Sequence, residues 1–339
     1  MAKPKIFITQ PIEESALRRL QEVMDVFVHP DSLKSISAEE MIRGVRSVDY
    51  LFCRLGDTVD AGVIDAGPHL KLIVTMATAA ARIDLQAATR RKIPVAGRQV
   101  PKTGFEPDSI IEETADMAWA LLMCLARRVV EGSELARAGL FPGAQSPYML
   151  GSGVNRKTLG IVGLGKVGKA MARRAIGFSM KVLYHDVIRC SQSEEELGCI
   201  FTPFEELLRA SDFVTLHPVY TPQTHHRIGK RELSLMKPGA FLINTSRGPV
   251  VNQKELIEAL RLKKIAGVAL DVFEEEPHPR LPEEFTAMRN VLLTPHFGSA
   301  VAEKREIMSN AVVDILLDFI AGRKPANLFN PEVYEIDHP

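Results

Sequence analysis

Gly163-Leu164-Gly165-Lys166-Val167-Gly168 lies between an apolar run, Leu159 to Val162, and a stretch with helical periodicity. Glycines at those spacings have a chemical use. Gly163 permits a tight strand-to-helix turn, Gly165 lets backbone approach a pyrophosphate, and Gly168 lets the helix pack close to a sheet. The N-terminal end of such a helix offers unpaired N–H groups and positive dipole to an anion. Asp186 closes the next apolar run, 18 residues after Gly168. There it would accept hydrogen bonds from a ribose hydroxyl and repel a 2′-phosphate, which favours NAD(H) over NADP(H). Arg189, close by, tempers that preference, and a solvated turn residue is the plainer reading of Asp186.

Three later segments put polar side chains directly after apolar runs. They are Asn244-Thr245-Ser246-Arg247-Gly248, Asp271-Val272-Phe273-Glu274-Glu275-Glu276-Pro277 and Thr294-Pro295-His296-Phe297-Gly298. In doubly wound sheets, ligands bind just beyond the strand ends. An Arg, a Glu and a His gathered at one such edge suit hydride transfer to a carbonyl beside a carboxylate. Taken singly, each has a plainer reading: an Arg tying loops together, a structural His, a solvated acidic run.

These residues need strands that end together. Lys5–Ile8, Tyr50–Cys53 and Leu72–Val74 read as buried strands, with helical stretches at Glu13–Met24, Ala38–Val45 and Ala61–Ile64. Such alternation predicts a parallel sheet flanked by helices. Residues 97–112 carry two prolines and two glycines without periodicity and read as a connector. A single helix is then expected from about Asp108 to Glu131, ending at Gly132. Six strands follow: Thr158–Val162, Lys181–Tyr184, Phe213–Leu216, Ala240–Asn244, Gly267–Leu270 and Val291–Leu293. Their spacing describes a doubly wound sheet. Ala300–Ala321 has the periodicity of one long helix, which in the simplest arrangement returns to the first domain. The last thirteen residues, NLFNPEVYEIDHP, read as coil.

Length and composition fit this organisation. The chain has 339 residues, enough for two domains, with 46% hydrophobic and 25% charged residues. Lys and Arg (42) balance Asp and Glu (42), so no global field steers nucleic acid or an anionic membrane. Cys53, Cys124, Cys190 and Cys199 are scattered without a CxxC, which argues against a disulfide framework or a metal site and suits a reducing compartment. The longest apolar run, Met117–Ala126, is too short to span a bilayer. The expectation is a soluble, cytoplasmic α/β protein.

From Thr114 to Ala300 the motifs resemble, in identity, order and spacing, those of the D-isomer-specific 2-hydroxyacid dehydrogenase family, and the resemblance extends over almost the whole chain. It implies a Rossmann-type NAD domain, residues 108–298, and a discontinuous flavodoxin-like substrate domain, residues 1–107 and 299–339. It also assigns roles. The Arg of S-R-G, the Glu before Pro in D-V-F-x-x-E-P and the His of T-P-H become Arg247, Glu276 and His296. Arg247 would hold a carboxylate and polarise the neighbouring carbonyl with its planar fork. His296 would give and recover the proton, and Glu276 would orient the imidazole and stabilise its charged form.

The resemblance further implies cofactor contacts from Lys166 and Val167 at the pyrophosphate. It places His217, Pro218, Val219 and Thr224 beside the adenosine, Thr245 and Ser246 on the nicotinamide side, and Asp271 at the carboxamide; Gly298 follows the T-P-H motif. Pro218 comes one position earlier than in the family's L-H-x-P loop. Thr114-Ala115-Asp116 resembles the T-A-E that opens the interdomain helix. A homodimer is implied, with contacts from the helix that starts near Asp108 and from Ala138–Gly153.

The substrate half departs from the family. Met76-Ala77-Thr78-Ala79-Ala80-Ala81-Arg82-Ile83-Asp84 lacks the usual glycine, and Arg82 replaces the Asn of N-I-D. Ala77, Thr78 and Ala79 can still offer amides to a substrate carboxylate if their backbone avoids positive φ. Arg54 and Leu55 occupy the region that contacts substrate from the other side. Arg82 would add positive charge for a dianionic or bulkier substrate, or simply sit at the surface, and Lys102 and Phe105 of the connector would cover the cleft or form a surface excursion.

The leading expectation is NAD-dependent interconversion of a small 2-oxo acid, such as glyoxylate or hydroxypyruvate, with its D-2-hydroxy acid. The alternatives are phosphite or D-3-phosphoglycerate oxidation, the former because His296–Val301 resembles phosphite dehydrogenases. A third is an NAD-sensing binding protein.

Overall fold

Short β-branched and aromatic runs become strands, and the amphipathic stretches between them become helices. The computed structural model describes residues 3–31, 33–98, 109–141, 143–144, 147–276 and 279–335. Contacts divide it into two units, Met1–Ser109 with Val301–Pro339, and Ile110–Ala300. Lys102, Phe105 and Pro277 lie outside the described residues.

The first unit holds five parallel strands: β1 (Lys5–Ile8), β2 (Asp25–Val28), β3 (Tyr50–Cys53), β4 (Leu72–Thr75) and β5 (Val95–Gly97). Their order, β2-β1-β3-β4-β5, is the flavodoxin-like one. β3 and β4 are buried throughout, as inner parallel strands covered on both faces must be. The sequence pattern passes over β2 and β5 for physical reasons. β2 is a half-exposed edge, and β5 has only three residues. Helix Ala302–Ile320 belongs to this unit: Arg19 reaches Asn310 Oδ1 at 2.8 Å, and Ser309 hydrogen-bonds Glu13.

The tail departs from the coil expectation. Phe329 N donates to Val95 O (2.8 Å), and the buried Asn330 side chain accepts from Val95 N (2.7 Å) and donates to Ile93 O (3.0 Å). Residues 331–334 then form a 3₁₀ turn. The tail closes the outer edge of β5, which explains its order without any periodicity of its own.

The second unit holds seven parallel strands: β6 (Thr158–Val162), β7 (Lys181–His185), β8 (Ile200–Phe201), β9 (Phe213–Leu216), β10 (Phe241–Asn244), β11 (Gly267–Leu270) and β12 (Val291–Leu293). The order β12-β11-β10-β9-β6-β7-β8 is the Rossmann arrangement with one strand added at the end. Separate hydrophobic cores cover its two faces, one around Leu242, Leu256 and Phe285, the other around Leu122, Met171 and Tyr184. The two-residue strand β8 is the one the sequence pattern does not show.

The helix expected as far as Glu131 is broken. It spans Ile111–Arg127, Arg128 turns left-handed (φ +54), and a second helix runs Val129–Arg137. The Arg128 guanidinium meets Glu131 at 2.7 and 3.0 Å, which fixes the corner. Among the described residues no helix is long and apolar enough to cross a membrane.

Candidate active site

The glycine turn sits at the carboxyl end of β6, where the strand order reverses between β6 and β9. Each glycine has its own reason to be there. Gly163 has φ +91, and a Cβ on it would come within 2.7 Å of the His217 carbonyl and Pro218 N. Gly165 precedes the helix Lys166–Gly177 and faces open space. A Cβ on Gly168 would stand 2.2 Å from Gly163 O, so this glycine sets the close packing of helix on turn.

Asp186 follows β7 and is bound to that turn: Leu164 N donates to Oδ2 and Val187 N to Oδ1, both at 2.7 Å. Arg189 lies in a fork on Glu194 at 2.9 and 2.8 Å. Hydrogen bonds from Arg189 and Tyr184 hold the Glu194 carboxyl down to about 2. His217 N donates to Val162 O, and its Nε2 pairs with Thr215 Oγ1 at 2.8 Å. Close packing around the ring lowers its pKa, which keeps it neutral. After Pro218 the loop turns sharply. Thr224 Oγ1 donates to Val219 O and accepts from Thr221 N, so its hydroxyl is used within the turn, while Val219 is exposed.

Beyond β10, Asn244 builds the turn that carries Thr245, Ser246 and Arg247. Its Oδ1 accepts from Ser246 N (3.0 Å) and Oγ (2.7 Å), and its Nδ2 donates to Arg247 O (3.0 Å). Thr245 Oγ1 is buried with no hydrogen-bond partner, an arrangement that a ligand would relieve. Gly248 lets the loop after β11 pass directly over this turn, since a Cβ there would overlap Phe273 O at 1.8 Å.

That loop is stapled at both ends. Glu274 pairs with His226 and accepts from Gln253 N. Glu276 accepts from Phe273 N through Oε1 (2.8 Å) and from His296 Nδ1 through Oε2 (2.7 Å). Burial opposes ionisation of Glu276. The His296 hydrogen bond and charge, the Phe273 amide and the Arg247 charge outweigh it and hold the carboxyl below its ordinary range. An ionised Glu276 requires His296 Nδ1 to carry a proton, which leaves Nε2 as the nitrogen able to exchange one.

His296 itself is held in left-handed backbone (φ +58), a sparsely populated conformation for a non-glycine residue. Asp271 accounts for this. Its buried carboxylate accepts from Thr294 Oγ1 (2.6 Å), Phe297 N (2.7 Å) and Gly298 N (2.8 Å), and its backbone carbonyl accepts from His296 N (2.9 Å). Sequence reasoning missed this organising role of Asp271, and those of Asn244 and the His226–Glu274 pair. Asn244 and Asp271 leave one signal, a polar residue at the end of an apolar strand, and the His226–Glu274 pair leaves none.

In the first unit, the loop after β4 contains no positive φ from Met76 to Asp84, so alanine serves where glycine was expected. Ala77 N is taken by Thr75 Oγ1 at 3.2 Å, and Thr78 is half-buried with Ala79 exposed beyond it. Arg54 N donates to Asp57 Oδ2 (2.7 Å), its Nη2 reaches Pro11 O (2.5 Å), and Leu55 is exposed. Arg82 is directed to Thr58 Oγ1, at 3.3 Å.

Comparison with known proteins agrees with this arrangement. Residues 119–298 match the family model "D-isomer specific 2-hydroxyacid dehydrogenase, NAD binding domain". The chain is 42% identical to glyoxylate reductases of Thermococcus gammatolerans and Korarchaeum cryptofilum, over 99% of each chain in both cases. A Thermus thermophilus protein of solved structure is 36% identical, with a TM-score of 0.81 over 96% of this chain and 99% of its own. A 2-hydroxyacid dehydrogenase from Ketogulonicigenium vulgare is 27% identical, with a TM-score of 0.75 over 97% and 98%. The chain belongs to the D-isomer-specific 2-hydroxyacid dehydrogenases, NAD-dependent oxidoreductases.

Proposed function

We propose that the protein reduces a short 2-oxo acid to its D-2-hydroxy acid, with His296 as proton donor, Glu276 as its orienting carboxylate and Arg247 as the group that binds and polarises the substrate. The observation that carries this is the His296 Nδ1–Glu276 Oε2 bond at 2.7 Å, with the Arg247 charge acting on the same carboxylate. With Nδ1 committed, Nε2 gives its proton to the carbonyl oxygen during reduction and takes it back in oxidation. Arg247 offers two parallel N–H groups to a carboxylate, a geometry that Lys lacks. Bound NADH supplies the hydride.

The glycine turn fits the dinucleotide. Gly165, Lys166 and Val167 would face the pyrophosphate, with Asp186 at the ribose and His217, Pro218, Val219 and Thr224 around the adenosine. The unpartnered Thr245 hydroxyl suits the nicotinamide end beside Ser246, Asp271 and Gly298. We read the cofactor as NAD(H) rather than NADP(H), because Asp186 faces the turn and the Arg189 fork is already filled by Glu194. The Thr78 and Ala79 amides, with Arg54 and Leu55, are our candidates for substrate contact. We also propose a homodimer. The helix Val129–Arg137 buries none of its residues, and Val129, Leu140, Phe141, Tyr148 and Leu150 are exposed around it.

Steady-state assays should show NADH-dependent reduction of glyoxylate, hydroxypyruvate or a related 2-oxo acid, with kcat/KM higher for NADH than for NADPH. Oxidation of phosphite with NAD, and of no hydroxy acid, would replace this reading.

A further inference from the structure

The proposed function leaves one side-chain cluster of the second unit unused. Among the described residues two histidines take left-handed backbone, His226 (φ +49) and His296 (φ +58). Each ring is hydrogen-bonded to a glutamate of the same acidic run, His296 through Nδ1 to Glu276 and His226 through Nε2 to Glu274. A non-glycine residue keeps this conformation only where its surroundings hold it. Asp271 supplies that support for His296. For His226 it comes from two chain segments at once.

The first is met by the backbone. His226 N donates to Pro249 O at 2.7 Å, Ile228 N to Val250 O at 3.0 Å, and Asn252 N to Ile228 O at 2.9 Å. Residues 226–228 therefore lie along the 3₁₀ turn Gly248–Val250, which directly follows Arg247 and sends a bond from Val250 N to Arg247 O (3.2 Å). The second segment is met by the side chain. Glu274, the acceptor from Nε2, stands two residues before Glu276. Asn252 decides which ring nitrogen carries the proton. Its Oδ1 is taken by Glu255 N (3.1 Å) where the helix Gln253–Arg261 begins, so its Nδ2 is the atom turned to His226 Nδ1, at 3.5 Å. A donor on that side leaves Nε2 to hold the proton that Glu274 accepts. The His225 ring stacks on His226 at 3.8 Å and is itself held by Tyr220 OH at 3.1 Å.

One residue thus touches both the turn that carries Arg247 and the loop that carries Glu276. These two segments already press on each other, because a Cβ at Gly248 would overlap Phe273 O. Displacing reacting groups by about 1 Å can cost on the order of 10²-fold in rate. We propose that His226 is a positioning residue of the reaction: bound to Pro249 and Glu274, it holds Glu276, and through it His296, in register with Arg247. The kinetic consequence rests on the reductase reading.

The test measures glyoxylate and hydroxypyruvate reduction, NADH affinity and Tm in wild type, His226→Ala, His226→Gln, Glu274→Ala and the double variant His226→Ala with Glu274→Ala. His226→Ala should lower kcat roughly 10–10²-fold and raise the KM of the 2-oxo acid, with NADH affinity nearly unchanged. His226→Gln keeps a donor in the place of Nε2 and should recover most of that loss. Alanine also strains a left-handed position, so Glu274→Ala removes the same bond from its other side and should reproduce the loss. The double variant should lose no more than the worse single one, because both act through one bond. Unchanged kcat and KM in the alanine variants, no recovery in His226→Gln, or additive losses would overturn the proposal and leave the reductase reading intact. If wild type reduces no 2-oxo acid, that reading fails, and the imidazole ¹⁵N–¹H spectrum tests the positioning by itself. The His296 Nδ1–H signal, identified by its absence in His296→Asn, should shift in His226→Ala and return in His226→Gln. An unmoved signal, or one that His226→Gln does not restore, would overturn it.

Discussion

Glu276 sits between three positive or donating groups, and its chemistry follows from that position. Because its folded-state pKa lies below the ordinary 4.5, the stabilisation from its partners is complete above that value and is lost only as pH falls through the lower, folded-state pKa. Glu276→Gln keeps the side-chain size and removes the charge. The Tm gap between wild type and this variant should be widest near neutral pH and narrow below about pH 4.5, as thermal melts across pH would show. In kinetics, Glu276→Gln should lower kcat with NADH affinity nearly unchanged; an unchanged kcat would mean that Glu276 does not act through His296. The positions of Arg247, Glu276 and His296, each in the segment after a strand, were readable from spacing and resemblance because strand ends fix where side chains go. The helpers were not. Asn244, Asp271 and Glu274 act through backbone turns that no periodicity records.

At the scale of elements, two close approaches set the geometry. Gly163→Ala would force a left-handed backbone on alanine, about 1–2 kcal/mol, and push a methyl into the His217–Pro218 peptide. Urea melts should show at least that loss, and NADH titration should show weakened binding. The tail makes a second case. Asn330→Ala strands the buried Val95 N–H and Ile93 O, and urea melts should record a loss of about 1–3 kcal/mol or more. Long inner strands such as Tyr50–Cys53 were legible as apolar runs. β2, β5 and β8 were not: β2 is half exposed and β8 has two residues, and β5 has three with only two apolar side chains, whereas the three-residue β12 stood out as an unbroken apolar run. The break at Arg128 escaped for a different reason: the apolar periodicity continues across it, and only the ion pair to Glu131 and a left-handed residue mark the corner.

At the scale of the whole molecule, each unit has its own doubly wound sheet and its own reversal of strand order. The alternation of strand and helix predicts parallel sheets, the resemblance implies their type, and the strand orders come from the structure. The work divides between the units. In the proposed chemistry, residues of the second unit hold the cofactor turn and the proton, and Arg54, Leu55, Thr78 and Ala79 of the first are the candidates for substrate contact. The apolar residues from Val129 to Leu150 belong to the proposed dimer contact, so light scattering should give twice the chain mass, and Phe141→Glu with Leu150→Glu should lower it toward that of one chain. A monomeric wild type would remove that proposal without touching the chemistry.

The proposed reaction turns on His296 moving the proton while NADH supplies the hydride. The most direct measurement is glyoxylate reduction by wild type and His296→Asn, with NADH affinity measured in parallel by fluorescence. His296→Asn should lower kcat roughly 10²–10⁴-fold with NADH affinity nearly unchanged. Turnover by His296→Asn at the wild-type rate would contradict it.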